Sequence, residues 1–418
     1  MNCVQLEVCL HSHSSVPYGE IEARFRALRD AAQLATCASY DGVLRSHVRH
    51  TRLVDAASAS ALGAMDADDR CAALDLTTLP IFVFQLASDA PLDADADKDK
   101  ADNYDDKDKD ANVSSFVSYT LPHEQFEPLW DALSFSSAVK ECLIGYVLAA
   151  TLLAKRGVSS HIVASNRLIL LHGPPGTGKT TLCKALCHKL ALRRFFARTM
   201  LIEINAHSLF SKWFSESGKL VGKLFARIRE LTADADCLVC VLVDEVESLA
   251  AARSAALNGM EPSDSIRVVN ALLTQLDRLK TCPNVLVLTT SNITDAIDVA
   301  FIDRADLKLY VGPPDLCARF AILQSCVDEL LRAHVLHPPF ECLPLALLAQ
   351  IDDDGSSRSV ALTKRLHAAA AAADGASGRM LRKLPLLAVS RMMAAGAPAS
   401  ARFDTDAFLA TLCETVNQ

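Results

Sequence analysis

Hydrophobic and polar residues follow different rhythms along this chain, and each change of rhythm marks a boundary. From Val4 to Leu10 apolar residues occupy every second position, the period of a half-buried strand. Glu20 to Thr36 has helical spacing, and Leu79 to Leu86 is a short apolar run of strand character. Together they predict a small α+β domain over residues 1–87. From Leu121 onward five apolar runs recur, Arg167 to His172, Met200 to Asn205, Leu238 to Val243, Val285 to Thr290 and Leu307 to Val311, separated by helical stretches. Such alternation predicts an α/β unit over 121–312, with five parallel strands covered by helices on both faces. After Pro313-Pro314 the strands stop, and Leu- and Ala-rich helical spacing predicts an all-helical domain over 313–418. Within it, Ala368 to Ala373 followed by Asp374-Gly375 reads as a helix end or a flexible loop.

Composition sharpens the boundaries. Half of the 418 residues are hydrophobic, enough for two or three units with real cores. The net charge of −8 is concentrated: nine Asp face four Lys between Asp93 and Asp110, and the rest of the chain is close to neutral. That stretch is too polar to bury and predicts a solvated linker over 88–120. The large positive patch of a dedicated nucleic-acid binder is missing, so no direct nucleic-acid partner is expected. Of the 14 Cys, Cys237 and Cys240 are spaced like a metal or redox pair, but no second pair follows at zinc-ribbon spacing. Buried reduced thiols are the expectation. Gln5, Glu7 and two His interrupt the start, unlike a signal peptide, and the apolar run Leu143 to Ala154 is too short to span a bilayer. A soluble intracellular protein without a membrane partner is expected.

Against this background one motif stands out. Gly173-Pro174-Pro175-Gly176-Thr177-Gly178-Lys179-Thr180-Thr181 follows an apolar strand and opens a helix, the context a phosphate-binding loop requires. Its glycines let backbone N–H groups curl around phosphate oxygens, and the new helix points its positive end at the same charges. Lys179 is positioned for the β and γ phosphates of ATP, and Thr180 for an Mg²⁺ ion. The strand Leu238 to Val243 then delivers Asp244 and Glu245 about 65 residues after the loop. Asp244 is the second candidate for holding Mg²⁺, and Glu245 is the candidate base that polarises the attacking water. Asn292 closes the strand that starts at Val285. Its amide can orient that water, although a turn-forming Asn is the ordinary alternative.

These motifs, with Asp298-Val299-Ala300-Phe301-Ile302-Asp303-Arg304-Ala305-Asp306, resemble the AAA+ ATPases. The resemblance implies a P-loop NTPase fold with a C-terminal helical lid. It also implies that Arg304 reaches into a neighbouring subunit's ATP site as an arginine finger. A second Arg usually follows in that family; Asp306 and Lys308 occupy the stretch here. Ser377-Gly378-Arg379 is similar to the family's sensor-2 motif, which makes Arg379 a nucleotide contact from the lid. Trp213-Phe214, set among polar residues from Ser211 to Lys219, stands where AAA+ translocases carry the aromatic pore loop that grips a polypeptide. Arg253 to Asp264 has the makeup of a second mobile loop and carries no assigned role.

Longer stretches, Leu170 to Ala185, Leu201 to Lys219, Val241 to Leu249, Glu261 to Thr274, Leu288 to Asp306 and Ser377 to Pro385, resemble one subfamily, the pachytene checkpoint ATPases. That implies a homo-hexamer that remodels HORMA-domain proteins, receives them on its N-terminal domain, sometimes through a HORMA-like adaptor, and acts in nucleus and cytoplasm at meiotic axes or the spindle checkpoint. The alternatives are a severing or unfolding motor with another protein substrate, a nucleotide-gated scaffold, and a clamp-loader relative. The last would carry basic channel residues in place of Trp213.

Overall fold

The computed structural model describes residues 4–30, 42–55, 80–89, 92–93, 116–135, 138–159, 162–206, 217–248, 264–292, 299–345, 357–395 and 402–416. Trp213, Phe214 and nearly all of 253–264 lie outside these residues.

The five expected parallel strands are present. They are β6 (Leu168–His172), β7 (Arg198–Asn205), β8 (Cys237–Asp244), β9 (Val285–Ser291) and β10 (Leu307–Tyr310), in the spatial order β10-β6-β9-β8-β7. Side chains of alternate residues leave opposite faces, and both faces are covered. Leu168, Leu170, Val239, Val241 and Val243 meet α6 (Ser217–Thr232) and α7 (Asp264–Leu279) on one side. Ile169, Leu171, Leu238, Cys240 and Leu242 meet α4 (Val139–Lys155) and α5 (Lys179–Leu192) on the other. Burial on both faces is why these strands are apolar throughout instead of alternating. Cys237 and Cys240 are buried free thiols on β8. The apolar run after Leu143 is the buried flank of α4, and no helix among the described residues is long and apolar enough to cross a membrane.

The sheet is larger than expected. Strand β5 (Phe116–Leu121) pairs antiparallel with β7, and the two-residue β4 (Leu92–Asp93) pairs with β5, giving seven strands. The expected linker 88–120 therefore carries sheet residues at both ends. Phe116, Ser118 and Leu121 are buried along β5, Phe116 and Leu121 in the cores on opposite faces of the sheet, a signal too short to stand out beside the charge run that precedes it. The C-terminal unit also departs from all-helical: β11 (Leu336–His337) and β12 (Phe403–Asp404) form a two-residue parallel pair. The short α8 (Val299–Ile302) precedes β10, and around the β11–β12 pair α9 (Leu316–Arg332), α10 (Arg358–Ala372), α11 (Gly378–Leu381), α12 (Leu384–Ala394) and α13 (Thr405–Val416) pack on their own core of Leu323, Leu362, Leu366, Leu381, Phe408 and Leu412. The Ala368–Ala373 run ends α10, and Gly375, at φ +73°, makes the turn after it.

The N-terminal unit is α+β. Strand β1 (Val4–Leu10) lies between β2 (Val48–Asp55), antiparallel, and β3 (Ile81–Gln85), parallel, with α1 (Tyr18–Asp30) and α2 (Gly42–His47) beside them. Val8, Ile21, Phe25 and Leu44 form its core. The sheet's other face is not free. Cys9, Phe84 and Leu86 pack against Leu192 at the end of α5. Beside them the fully buried Glu7 carboxylate joins Lys189 of α5 and receives Arg52 Nε at 2.7 Å. Burial alone would raise the Glu7 carboxyl, but Lys189 and Arg52 outweigh it and hold it below the usual range. The helix that starts at the phosphate loop is thus covered on one side by the ATPase sheet and on the other by the N-terminal sheet. This double cover explains why almost every residue of α5 is buried.

His188 lies on the same helix, 1% exposed, with its Nε2 lacking a hydrogen-bond partner. Burial, with help from Arg52, pushes its pKa down to about 3. A base whose folded pKa is depressed stabilises the fold above its unfolded value of 6.5, and that stability is lost as pH falls toward 3. From pH 7 to pH 5 the loss should reach about 2 kcal/mol. The thermal midpoint of wild type should therefore drop over this range, and His188→Gln should flatten the slope. Parallel slopes for both proteins would remove His188 as the cause.

Candidate nucleotide site

The loop 173–180 joins the C-terminal end of β6 to α5, beside the place where β9 and β10 flank β6 on either side. That is where open α/β sheets bind ligands. Two of its glycines are required by geometry. Gly173 has φ +142°, and a Cβ there would stand 2.3 Å from the backbone oxygen of Val311. Gly176 has φ +78°, and a Cβ there would meet Ser377 Oγ at 2.9 Å and Arg379 Cβ at 3.2 Å. The loop is thus closed from below by the segment after β10 and from the lid side by α11. Gly173 N–H donates to Ser291 O at 3.2 Å, fastening the loop to the end of β9.

Lys179 Nζ donates to the carbonyls of Gly173 at 2.9 Å and Pro174 at 2.8 Å, so the amine is held inside the loop. Burial lowers its pKa, while Glu247 and Asp244 oppose that shift. Thr180 Oγ1 donates to Asp244, 2.9 Å from Oδ1 and 3.2 Å from Oδ2. The hydroxyl and carboxylate expected to share a metal are therefore adjacent. Thr290 Oγ1 also donates to Asp244 and accepts the Glu245 N–H at 3.3 Å. Glu245 follows at φ +60°, a left-handed conformation rare for a residue with a side chain. The strand end is therefore sharply turned where the candidate base sits. Asn292 Nδ2 donates to Glu247 Oε1 at 2.8 Å. The candidate water-orienting amide thus has a fixed partner.

Thr290 and Glu247 escaped the sequence reading. Their signals were present: Thr289-Thr290-Ser291 are three hydroxyls in a fully buried strand, which must find partners, and Glu247 is a third acid beside Asp244-Glu245.

Next to the loop opens a cavity of about 400 Å³, lined by Leu129, Leu133, Phe135, Gly176, Gly178, Thr181, Tyr310, Ile322, Arg379 and others. Apolar walls beside a phosphate cradle suit a purine base and ribose. Two cations fasten the walls. Lys140 Nζ donates to the carbonyls of Trp130 and Leu133, each at 2.6 Å, and lies 5.0 Å over the Trp130 ring. Arg382 of the lid donates to Ala132 O. The Arg379 N–H donates to Gly176 O at 3.0 Å, so the Ser377-Gly378-Arg379 turn rests directly on the phosphate loop.

Arg304 lies elsewhere. Its carbonyl accepts from Asn166 Nδ2 at 2.9 Å, just before β6, whereas the phosphate loop begins after β6. Five strand residues separate the two ends by roughly 16 Å. Its guanidinium is bound in a fork by Asp277 of α7, at 3.0 and 2.8 Å, which holds the Asp277 carboxyl below its ordinary range. Asp306, which stands near where the family's second Arg is expected, accepts the N–H groups of Asn166 and Arg167 and the Tyr146 hydroxyl. Its work is to cap the start of β6.

The fold and the site together define a P-loop ATPase of the AAA class. Residues 169–313 match the model of the ATPase family associated with various cellular activities, and residues 315–418 match the TRIP13-like AAA+ ATPase lid C-terminal domain. The chain belongs to the pachytene checkpoint protein 2 family. It is 51% identical to the rice pachytene checkpoint protein 2 homolog over 322 residues (74% of this chain, 65% of that protein). It is 47% identical to the human homolog over 317 residues (75% and 71%). The matched region thus spans about two-thirds of the length of these relatives. The structure of C. elegans PCH-2 aligns over 100% of this chain and 98% of that one, with a TM-score of 0.71 and 30% identity. A chain of the E. coli MS115-1 HORMA:CdnC:Trip13 complex shares the fold at 16% identity, with a TM-score of 0.52, over 71% of this chain and 94% of that one. The protein is an ATPase, and its family membership implies that it binds a nucleotide.

Proposed function

We propose that this protein is an ATP-driven ring, six copies of one chain, that pulls on the N-terminal segment of HORMA-domain proteins and converts them from closed to open forms. The observation that carries the ring is the place of Arg304. It stands at the opposite end of β6 from its own phosphate loop, beyond an arginine side chain's reach, and Asp277 fixes its direction. A finger so placed serves a site on another copy, where its charge stabilises the γ-phosphate as it leaves. Two exposed apolar groups support assembly: Met380, Leu386 and Leu387 on the lid, and Leu152 in the last turn of α4 with Val158, Ile162 and Val163 after it. Family membership supports the substrate class, as does the fold-level neighbour solved with a HORMA protein.

Within the site, Lys179 is the ligand for the phosphates, Arg379 contacts the nucleotide from the lid, and Glu245 and Asn292 hold and polarise water. Thr180 and Asp244, already paired, would hold Mg²⁺, which supplies charge neutralisation for the β and γ phosphates when bound. Trp213 and Phe214 grip the substrate chain. HORMA-domain proteins, with a HORMA-like adaptor, are the partners, nucleic acid and membranes are not, and the place of action is the nucleus and cytoplasm, at meiotic axes or the spindle checkpoint.

The full chain should be incubated with ATP and closed, partner-bound HORMA-domain proteins, with release of the partner as readout. Wild type should release it. Trp213→Ala should bind ATP as well as wild type yet convert substrate at least tenfold more slowly, because the apolar grip is lost while the fuel site is untouched. Wild type releasing no partner would sink the substrate assignment, and full conversion by Trp213→Ala would place the grip elsewhere.

A further inference from the structure

Away from the nucleotide, where the N-terminal sheet meets the ATPase domain, three residues of different donor chemistry converge. Cys9 on β1 and His50 on β2 are direct partners in the antiparallel register, so they share a face of the sheet. Glu127 comes from the ATPase side, in the segment between β5 and α3 (Leu129–Ala132). Cys9 Sγ, a ring nitrogen of His50 and a Glu127 carboxylate oxygen all lie within 4.8 Å of one another.

The simpler reading is a buried thiol beside a His–Glu ion pair. Two observations weigh against it. His50 Nε2 stands 2.9 Å from Glu127 Oε1, yet no hydrogen bond joins them, and that oxygen is buried without a hydrogen-bond partner. Cys9 is fully buried and its thiol makes only a 3.6 Å contact with Leu10 O. A buried carboxylate oxygen without a donor is costly, and a cation between the three groups removes that cost. The nearby positive charges do not compete. Arg49 is bound by Glu124 at 2.8 Å, and Arg52 by Glu7 and Asp131 at 2.7 and 3.0 Å.

We propose that Cys9, His50 and Glu127 form a zinc site that staples the N-terminal domain to the ATPase domain. Sulfur, imidazole nitrogen and carboxylate oxygen are the donor set of Zn²⁺, and the thiolate discriminates against Mg²⁺. A tetrahedral centre with bonds of about 2.0–2.3 Å keeps its ligand atoms roughly 3.5 Å apart. The His50–Glu127 pair needs to open by only about half an ångström, and Sγ to close by about 1 Å at most. His50 and Glu127, 38% and 18% exposed, leave the fourth position open to water. This ion is separate from the one at Thr180 and Asp244 and takes no part in hydrolysis.

The full chain, purified without chelators, should carry about one zinc per chain by elemental analysis. Cobalt(II) added to metal-stripped wild type should give a thiolate charge-transfer band in the near ultraviolet. Cys9→Ser should lose both, and stripping zinc from wild type should lower the thermal midpoint. His50→Ala and Glu127→Gln, at partly exposed positions, should also lower zinc content, which keeps the test valid if Cys9→Ser fails to fold. Wild type with neither zinc nor a cobalt band would overturn the assignment. So would zinc retained in all three variants, since the ion would then sit elsewhere.

Discussion

Replacing Glu245 by Gln should reduce ATP hydrolysis at least about 100-fold while leaving nucleotide affinity within a few-fold of wild type. A positioned general base contributes about 10²–10⁴ in rate, so the lower bound corresponds to about 2.7 kcal/mol in the barrier. Gln has the same shape and no basic oxygen pair. The backbone around it is over-determined: the N–H is taken by Thr290, the carbonyl accepts from Ser248 N–H at 3.1 Å and Ser248 Oγ at 2.8 Å, and φ is already +60°. The substitution therefore removes the chemistry without moving the loop. Lys179 and Thr180 of the loop, and Arg379 that rests on it, are not touched, so affinity should hold. Steady-state ATPase and equilibrium nucleotide binding on the same preparations decide it. A variant hydrolysing within threefold of wild type would show that another group, Glu247 foremost, activates the water.

What was legible beforehand follows from the length scale of each signal. The five strands of the ATPase core were readable because burial on both faces turns each into an unbroken apolar run, as with Leu238 to Val243. Short-range chemistry was readable too, since the phosphate loop is nine contiguous residues with a fixed spacing. Strand β5 was not. Only Phe116, Ser118 and Leu121 are buried, and the strand earns its place by pairing with β7, a contact from Leu121 to Thr199 that no local window contains. Strand β2 was missed for a similar reason, because its polar run Arg49-His50-Thr51-Arg52 carries side chains that meet partners far along the chain: Glu124, Glu127, Glu7 and Asp131.

Those same contacts change the picture of the N-terminal domain. A tether joined by an acidic linker was expected. Instead Glu7, Arg52 and Lys189 form a buried charged cluster on the back of α5, and Arg52 continues to Asp131 of α3, whose neighbour Leu129 lines the nucleotide cavity. Removing one partner of such a cluster strands an uncompensated buried charge, which is far more costly than the cluster's net contribution. The domain that receives substrate in the proposed cycle is thereby in contact with both the helix that follows the loop 173–180 and a wall of the cavity beside that loop.

Gly173→Ala should be the most damaging added methyl among the described glycines. The new Cβ would stand 2.3 Å from Val311 O, and a φ of +142° is one that side-chain-bearing residues rarely adopt. Backbone atoms cannot swing aside as a side chain tip can, so the loop must shift away from β10. Strain of this kind costs about 1–3 kcal/mol before the clash is counted. A shift would also break the Gly173 N–H bond to Ser291 O and displace the carbonyl that holds Lys179. Nucleotide affinity should fall at least about 100-fold, equivalent to about 2.7 kcal/mol, with a lowered thermal midpoint that saturating ATP does not restore. Gly222→Ala is the matched control. Gly222 lies inside α6, where an added Cβ meets nothing within 4 Å, so this methyl should be neutral or stabilise by up to about 1 kcal/mol. Equal behaviour of the two variants would mean that the joint between the phosphate loop and β10 yields without cost, and that the site is not held by the contacts described.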